Sequence, residues 1–393
     1  MLVITPWFPS RPTDQSGNFV LHSVQALRNA GIALSVIVTR PWTPRMLGKL
    51  RPEWDRPPLH RETFDPALHI TVSHFPSIPR SYLNEFAGPL FRLGTRASIS
   101  RQIRQTAPDL IHAHTELAGY AIRPIARACG IPVVVTLHGI NTESRLLDTP
   151  WKRRRMREAL CAAKRVVLVG EPLRAHFSAL AGREDHFRIV PNGFTVPDRA
   201  AGTAFGNANS FLRLISVSNL HEGKGIDLTL RALARLRQSG ATNWSYEIVG
   251  DGAERSRLEA ITDVLGLRDR VSFHGRMPHD EAMRVLSRAD VFVLPSYREA
   301  FGIAYLEAMA LGLLAIGVSG QGPEAFIAHE GTGLLVRPND VESLFDAMRR
   351  VTEDVSEMRR IAAAGQRLVR ADFTWAAHAQ KLIAVYREAL GES

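Results

Sequence analysis

Short runs of aliphatic and β-branched residues recur along this chain at intervals that leave room for a helix between them. That alternation restricts the fold more than any other feature, because it is the pattern of a parallel α/β architecture. In the first half the runs Leu2 to Thr5, Leu34 to Thr39, Leu110 to Ala113, Val133 to Leu137 and Val166 to Val169 predict strands. In the second half the same reading gives Leu212 to Val217, Tyr246 to Val249, Val271 to Phe273, Val291 to Leu294, Leu313 to Ile316 and Leu334 to Val336. The runs are continuous rather than alternating, as strands covered on both faces require. A chain of 393 residues, 45% of them hydrophobic, exceeds what one core usually reaches, so two sheets are expected rather than one.

The stretch Asp198 to Ser210, rich in Gly, Ala and Asn and without a period, is the best linker. It divides the chain into an N-terminal domain (1–197), the linker (198–210) and a C-terminal domain (211–373), with a last helix (374–393) expected to pack back towards the first domain. Pro41 to Pro79 reads as a long irregular segment, which in a compact domain is usually functional or mobile. Met1 to Pro6 has neither a basic n-region nor a long apolar h-region, so no signal peptide is expected. The longest nearly uncharged apolar stretch, Ala308 to Val318, falls short of the roughly 18 residues of a membrane span. Cys129 and Cys161 form no disulfide framework and have no metal-ligand spacing, which suits a reducing cytoplasm.

The net charge of +10 is unevenly placed: residues 1–197 carry 26 Lys and Arg against 14 Asp and Glu, the remainder 23 against 25. Trp151 to Arg165 alone holds seven basic residues and one acidic one, and Arg92 to Arg104 adds further arginines. Trp42, Trp54, Leu83, Phe86 and Phe91 supply apolar groups in the same half. A solvated helix is the common fate of such a run. Basic and interfacial groups together also suit peripheral contact with an anionic membrane at the inner face of the cytoplasmic membrane. No nucleic-acid-binding module accompanies the charge, so nucleic acid is not the expected partner.

The densest chemical signal is Arg298 to Met309, REAFGIAYLEAM, after the strand Val291 to Leu294. Glu299 is expected at the start of a helix with Gly302 in its first turn, and Glu307 eight residues on, so that both carboxylates line one flank. The N–H groups of Ala300, Phe301 and Gly302 would then form a helix N-terminus open to an anion or to sugar hydroxyls. Read alone, Glu299 is more simply a helix cap and Glu307 a solvated residue. His138 follows the strand Val133 to Leu137, where open α/β sheets bind ligands. His112 and His114 read as structural. Ser16-Gly17-Asn18 precedes a helix near Val20, and Gly17 would let backbone approach a ligand closely.

In this setting the Glu-x7-Glu segment, with Phe-Gly after the first Glu, resembles the large retaining glycosyltransferase family 4, of the GT-B fold. The segments DLIHAH (109–114), TLHG (136–139), VPNG (190–193), SVSNLHEGKG (216–225), IVGDG (248–252), VSFHG (271–275), SGQGPE (319–324) and GTGLLV (331–336) agree in order. The resemblance implies two Rossmann-like domains whose parallel sheets face each other across a cleft. It also implies transfer of a sugar from a UDP- or GDP-sugar to a lipid-linked or saccharide acceptor, with no cofactor and no metal. By the same resemblance Glu307 binds the donor ribose, Glu299 the transferred sugar and Lys224 the diphosphate. The peptide Gly275, Arg276 and Met277 contacts the base, Gly17 approaches the donor or acceptor, and His138 contacts the sugar or acceptor.

Three positions depart from the family pattern. Asn219 stands where an Arg often shares the diphosphate, Ser16-Gly17 where a Gly pair is common, and Ala300 where Gly often follows the first Glu. With Asn219 uncharged, part of the charge stabilisation falls to Lys224, to helix N-termini or to an arginine such as Arg298. The implied reaction is front-face, the leaving diphosphate accepting the acceptor's proton while the two domains close to exclude water. The pathway implied is cell-surface polysaccharide assembly, by likeness to exopolysaccharide and teichuronic-acid type enzymes. A non-catalytic scaffold of the same fold is the alternative.

Overall fold

The structure, a computed structural model, describes residues 1–12, 14, 17–42, 58–76, 87–138, 149–196 and 211–392. The expected linker lies outside the described residues, as do Ser16, Trp54, Leu83, Phe86 and Gly139. The chain divides into two compact units, Met1–Gly193 with Trp375–Ser393, and Phe194–Thr374.

The first unit is built on seven parallel strands: β1 (Leu2–Thr5), β2 (Ser35–Trp42), β3 (Ile70–Pro76), β4 (Ile111–His114), β5 (Val133–Leu137), β6 (Arg165–Leu168) and β7 (Phe187–Ile189), in the order β3-β2-β1-β4-β5-β6-β7. Helices α1 (Asn18–Asn29), α2 (Ala87–Thr106), α3 (Glu116–Cys129), α4 (Pro150–Ala162) and α5 (Pro172–Ala181) cover it. The central strands β1 and β5 are buried along their whole length. Each aliphatic side chain so enclosed contributes roughly 1.5–3 kcal/mol of transfer free energy.

The second unit repeats the plan with β8 (Leu212–Val217), β9 (Trp244–Val249), β10 (Val271–Gly275), β11 (Val291–Val293), β12 (Leu314–Val318) and β13 (Leu334–Val336), ordered β10-β9-β8-β11-β12-β13 and parallel throughout. Helices α6 (Ile226–Gln238), α7 (Arg255–Val264), α8 (His279–Leu286), α9 (Ile303–Ala310), α10 (Val341–Glu353) and α11 (Val355–Asp372) complete it. In each sheet the order reverses beside the first strand, between β1 and β4 and between β8 and β11. Loops leaving the carboxyl ends of those strands diverge there and open a crevice.

The last helix, α12 (Trp375–Leu390), belongs to the first unit. Its Ala379, Leu382, Val385, Tyr386 and Ala389 enter one core with Val20, Leu21, Val24 and Leu27 of α1. His378 anchors it, with Nδ1 donating to Pro191 O at 2.7 Å and Nε2 accepting from Ser23 Oγ at 2.8 Å. A carbonyl only accepts, so these partners fix the tautomer.

Two strands were not predicted. β3 lies inside the segment Pro41 to Pro79, read from sequence as irregular, and β7 is three residues long. Both are edge strands, and neither is buried along its whole length.

Candidate functional site

At the carboxyl end of the second sheet, the loop after β8 meets the loop after β11. Gly225 has φ 65°, and a Cβ on it would stand 2.4 Å from Pro295 O, so only glycine permits this approach. The carbonyl of Gly223 accepts from Ser296 Oγ at 3.0 Å and from Tyr297 N at 3.1 Å, which ties the two loops together. The result is an ion pair: Lys224 Nζ donates to Glu299 Oε2 at 2.7 Å, with the two side chains 15% and 14% exposed. A third loop, after β12, clamps the Glu299 backbone. Gln321 Oε1 accepts from Glu299 N at 3.1 Å, and Gly322 N donates to Glu299 O at 2.8 Å. Sequence reasoning gave Gln321 no role, although it lies in the SGQGPE segment.

The expected helix placement needs correction. Helix α9 begins at Ile303, and Gly302, at φ 94°, is its N-cap residue, so Glu299 stands in the loop rather than on the helix. Ala300 and Phe301 therefore do not form a helix N-terminus. The Phe301 side chain is buried against Phe326 and Phe373, leaving only its backbone for a ligand. The left-handed glycine sets the direction of the helix, which the spacing of 100° per residue could not foresee.

Glu307 is half-buried on α9 and accepts no hydrogen bond among the described residues; the nearest cation-forming group is His279 Nε2 at 3.7 Å. Burial pushes its carboxyl up to about 7. Such a group gains most from a ligand that brings hydroxyl donors. Asn219 is exposed, and its carbonyl accepts from His221 N at 3.1 Å. His221 is held below the usual histidine range, first by burial and then by Lys224 and Arg298. The Arg298 side chain packs over Gly223, where a Cβ would lie 3.3 Å from its Cβ and Cδ. At the end of β10, Gly275 (φ 74°) is buried and accepts from Gly250 N at 2.8 Å, with Arg276 exposed and Met277 half-buried beyond it.

The first unit carries a different set at the corresponding end. Gly17, at φ 83°, caps α1, and a Cβ there would stand 2.7 Å from Phe8 N. His138 lies just past β5. Its Nε2 is 2.8 Å from His114 Nδ1, the two rings are stacked 8° apart, and Phe19 packs on it at 4.7 Å between centroids. His112 is committed at both nitrogens, to Thr136 Oγ1 at 2.6 Å and Tyr386 Oη at 2.8 Å. Burial, reinforced by neighbouring histidines, lowers His112 and His138 to about 3 and His114 well below its usual value. All three rings are neutral at pH 7. Among the described residues, Nδ1 of His138 is buried without a partner, an arrangement that costs about 1–3 kcal/mol.

The basic run falls on α4, where Arg153, Arg154 and Arg157 are exposed. Arg155 is not solvated: it is buried and donates to Glu116 Oε1 at 2.9 Å. Phe91, expected at an interface, is wholly buried against Phe75, whereas Leu93 on α2 is 74% exposed and Trp42 56%. No helix among the described residues is long and apolar enough to cross a membrane.

Comparison with known proteins gives two family matches. Residues 16–196 match the model described as Glycosyltransferase Family 4, and residues 205–368 the model described as Glycosyl transferases group 1. A D-inositol 3-phosphate glycosyltransferase of Stackebrandtia nassauensis is 26% identical over 397 residues, covering 95% of this chain and 86% of the relative. Among solved structures, sucrose-phosphate synthase from Thermosynechococcus elongatus superposes with a TM-score of 0.75 at 23% identity, covering 100% of this chain and 99% of that one. The Anabaena protein HepE, crystallised with UDP, superposes with a TM-score of 0.72 at 18% identity, covering 98% and 99%.

Proposed function

This chain belongs to glycosyltransferase family 4 and is a glycosyltransferase of the GT-B fold, and from that premise we propose that it takes a sugar from a UDP- or GDP-sugar, without a metal, and passes it with retention to a lipid-linked or saccharide acceptor. The observation that carries this reading is the Lys224–Glu299 pair at the switch point, with the half-buried Glu307 carboxyl on the helix that follows. The pair is a cation held ready with a resident counter-ion. A diphosphate replaces the carboxylate on Lys224, and Glu299 is freed to accept from sugar hydroxyls. Glu307 accepts from the ribose diol, while the backbone of Ala300, Phe301 and Gly302 and of Gly275, Arg276 and Met277 lines the rest of the donor. UDP in the HepE crystals supports a nucleotide donor.

The chemistry asked of these residues is electrostatic. As the bond from the anomeric carbon to the diphosphate oxygen breaks, charge develops on that oxygen, and the Lys224 ammonium stabilises it where it forms. The acceptor oxygen bonds to the same face of the carbon, and its proton passes to the departing diphosphate, so no covalent enzyme intermediate is needed. The first unit takes the acceptor, with His138 against a sugar or acceptor hydroxyl and Gly17 allowing close backbone approach. Its basic helices face an anionic membrane in this reading, and the product enters cell-surface polysaccharide.

A thermal-shift titration with UDP, GDP, ADP and their sugar conjugates, with and without EDTA, tests the donor. A true donor nucleotide at about 100 times its dissociation constant stabilises by roughly 2.7 kcal/mol. A shift with one base, unchanged by EDTA, supports the proposal. A shift abolished by EDTA overturns the metal-free mechanism, and no shift with any nucleotide at millimolar concentration overturns the donor site.

A further inference from the structure

Strands β4 and β5 pair in register, with His114 opposite Thr136. His114, the last residue of β4, is thereby brought beside His138, one residue past β5, with His114 Nδ1 at 2.8 Å from His138 Nε2. Two neutral imidazoles joined by one such bond hold a single proton between them. Whichever ring donates, the state of His138 Nε2 is set by His114, and with it the state of Nδ1 on the other side of the ring. If His114 donates, His138 Nδ1 carries the hydrogen; if His138 donates, Nδ1 is a bare acceptor. That second nitrogen is the buried one without a partner among the described residues.

The surroundings keep His114 in place. Thr115, the next residue, has φ 106°, a conformation that a β-branched residue holds only when its neighbours over-determine it. Its N–H donates to Thr136 O at 3.0 Å, and its Oγ1 accepts from Ala118 N at 3.4 Å as the cap of α3. The His112 ring packs at 4.2 Å from that of His114 between centroids, and both His112 nitrogens are already engaged, so it does not compete for His114 Nδ1. We infer that His114 is a positioning residue for sugar transfer: it holds the His138 ring and fixes its tautomer, so that His138 Nδ1 is presented to a saccharide hydroxyl. A hydroxyl both donates and accepts, and therefore completes either tautomer. The inference rests on the reading that His138 meets the sugar or the acceptor.

Two measurements test it. In the wild-type chain labelled with ¹⁵N-histidine, two-bond ¹⁵N–¹H spectra at pH 7 should show His138 as one neutral tautomer; an even mixture of tautomers overturns the inference without any variant. The second measurement is sugar-nucleotide hydrolysis, using whichever of UDP-glucose, GDP-mannose and ADP-glucose is turned over fastest. His114→Phe keeps the ring's bulk without its nitrogens, and should lower kcat about 100-fold with KM nearly unchanged, the scale expected for a misplaced group. His114→Asn puts an amide near the place of Nδ1 and should recover most of that loss. Should His138→Ala be impaired while His114→Phe turns over like wild type, or should His114→Phe and His114→Asn be equally impaired at equal melting temperature, positioning by His114 is wrong and the reading of His138 survives. Full turnover by His138→Ala removes that reading itself.

Discussion

Where the second sheet reverses its order, an ammonium and a carboxylate stand 2.7 Å apart, and a further carboxyl is pushed up to about 7. At the carboxyl ends of β4 and β5, strands of the first sheet, the groups are histidines held neutral by burial. The scaffold is the same kind of parallel sheet, and the difference lies in whether a charged group finds an opposite charge beside it. Lys224 and Glu299 stay partly solvated and paired, so they can trade partners with an anionic ligand. His112 and His114 are buried and His138 is half-buried beside them, and desolvation with the neighbouring histidines holds all three neutral, which leaves them suited to hydroxyls. One architecture thus offers an ionic end and a neutral one.

The largest effect expected from this contrast is on acid stability. A histidine whose folded value is depressed binds its proton in the unfolded chain first, so its stabilising contribution is complete above about pH 6.5 and is lost as pH falls towards the folded value. By pH 5.5 each of His112, His138 and His378, lowered to about 3, 3 and 4, should cost about 1 kcal/mol. Urea unfolding followed by hydrogen exchange between pH 7.5 and 5.5 should show the first unit opening before the second. Simultaneous loss of both units would break the comparison.

Next in size is Lys224→Ala, expected to reduce turnover roughly 100- to 1000-fold, the scale of removing one preorganised donor from a developing oxyanion. Steady-state rates with the best donor check it, and retention of full activity would remove Lys224 from the mechanism.

Glu307 has the opposite sign to the histidines. Its folded value is raised, so the advantage of its neutral form is complete below the unfolded value of about 4.5 and is lost as pH rises through about 7. A ribose diol binds the ionised form best, so nucleotide affinity should rise about fourfold between pH 6.5 and 8. Calorimetric titration should find that rise in the wild type and a flat profile in Glu307→Gln. The smallest effect on folding concerns the basic face: replacing Arg153, Arg154 and Arg157 together by Ala should leave stability nearly unchanged. It should weaken binding to phosphatidylserine vesicles by about 1 kcal/mol per residue in co-sedimentation. Equal binding by both proteins would remove those arginines from membrane contact.

Burial on both faces made the central strands legible, because it demands an unbroken apolar run such as VVVTL in β5. β3, ITVSHFP, has an edge to itself and is only partly buried, so its pattern is broken and reads as irregular. Lys224, Glu299 and Glu307 could be singled out because each sits in a short ordered motif. That Glu299 stands outside the helix depended on the positive φ of Gly302, which residue types alone do not disclose. His112 and His114 could be placed on one face of a strand by period two, but their partners His138 and Tyr386 come from later segments.

The return of α12 to the first unit has a consequence for how the chain is made. The first unit's core contains Leu382, Val385 and Tyr386, whereas the second unit is a continuous stretch closed by Thr374. During synthesis the second unit is therefore complete and able to fold while the first still lacks one wall. Until α12 leaves the ribosome, Val20, Leu21, Val24 and Leu27 lack the cover it supplies, which makes that interval the one most exposed to aggregation.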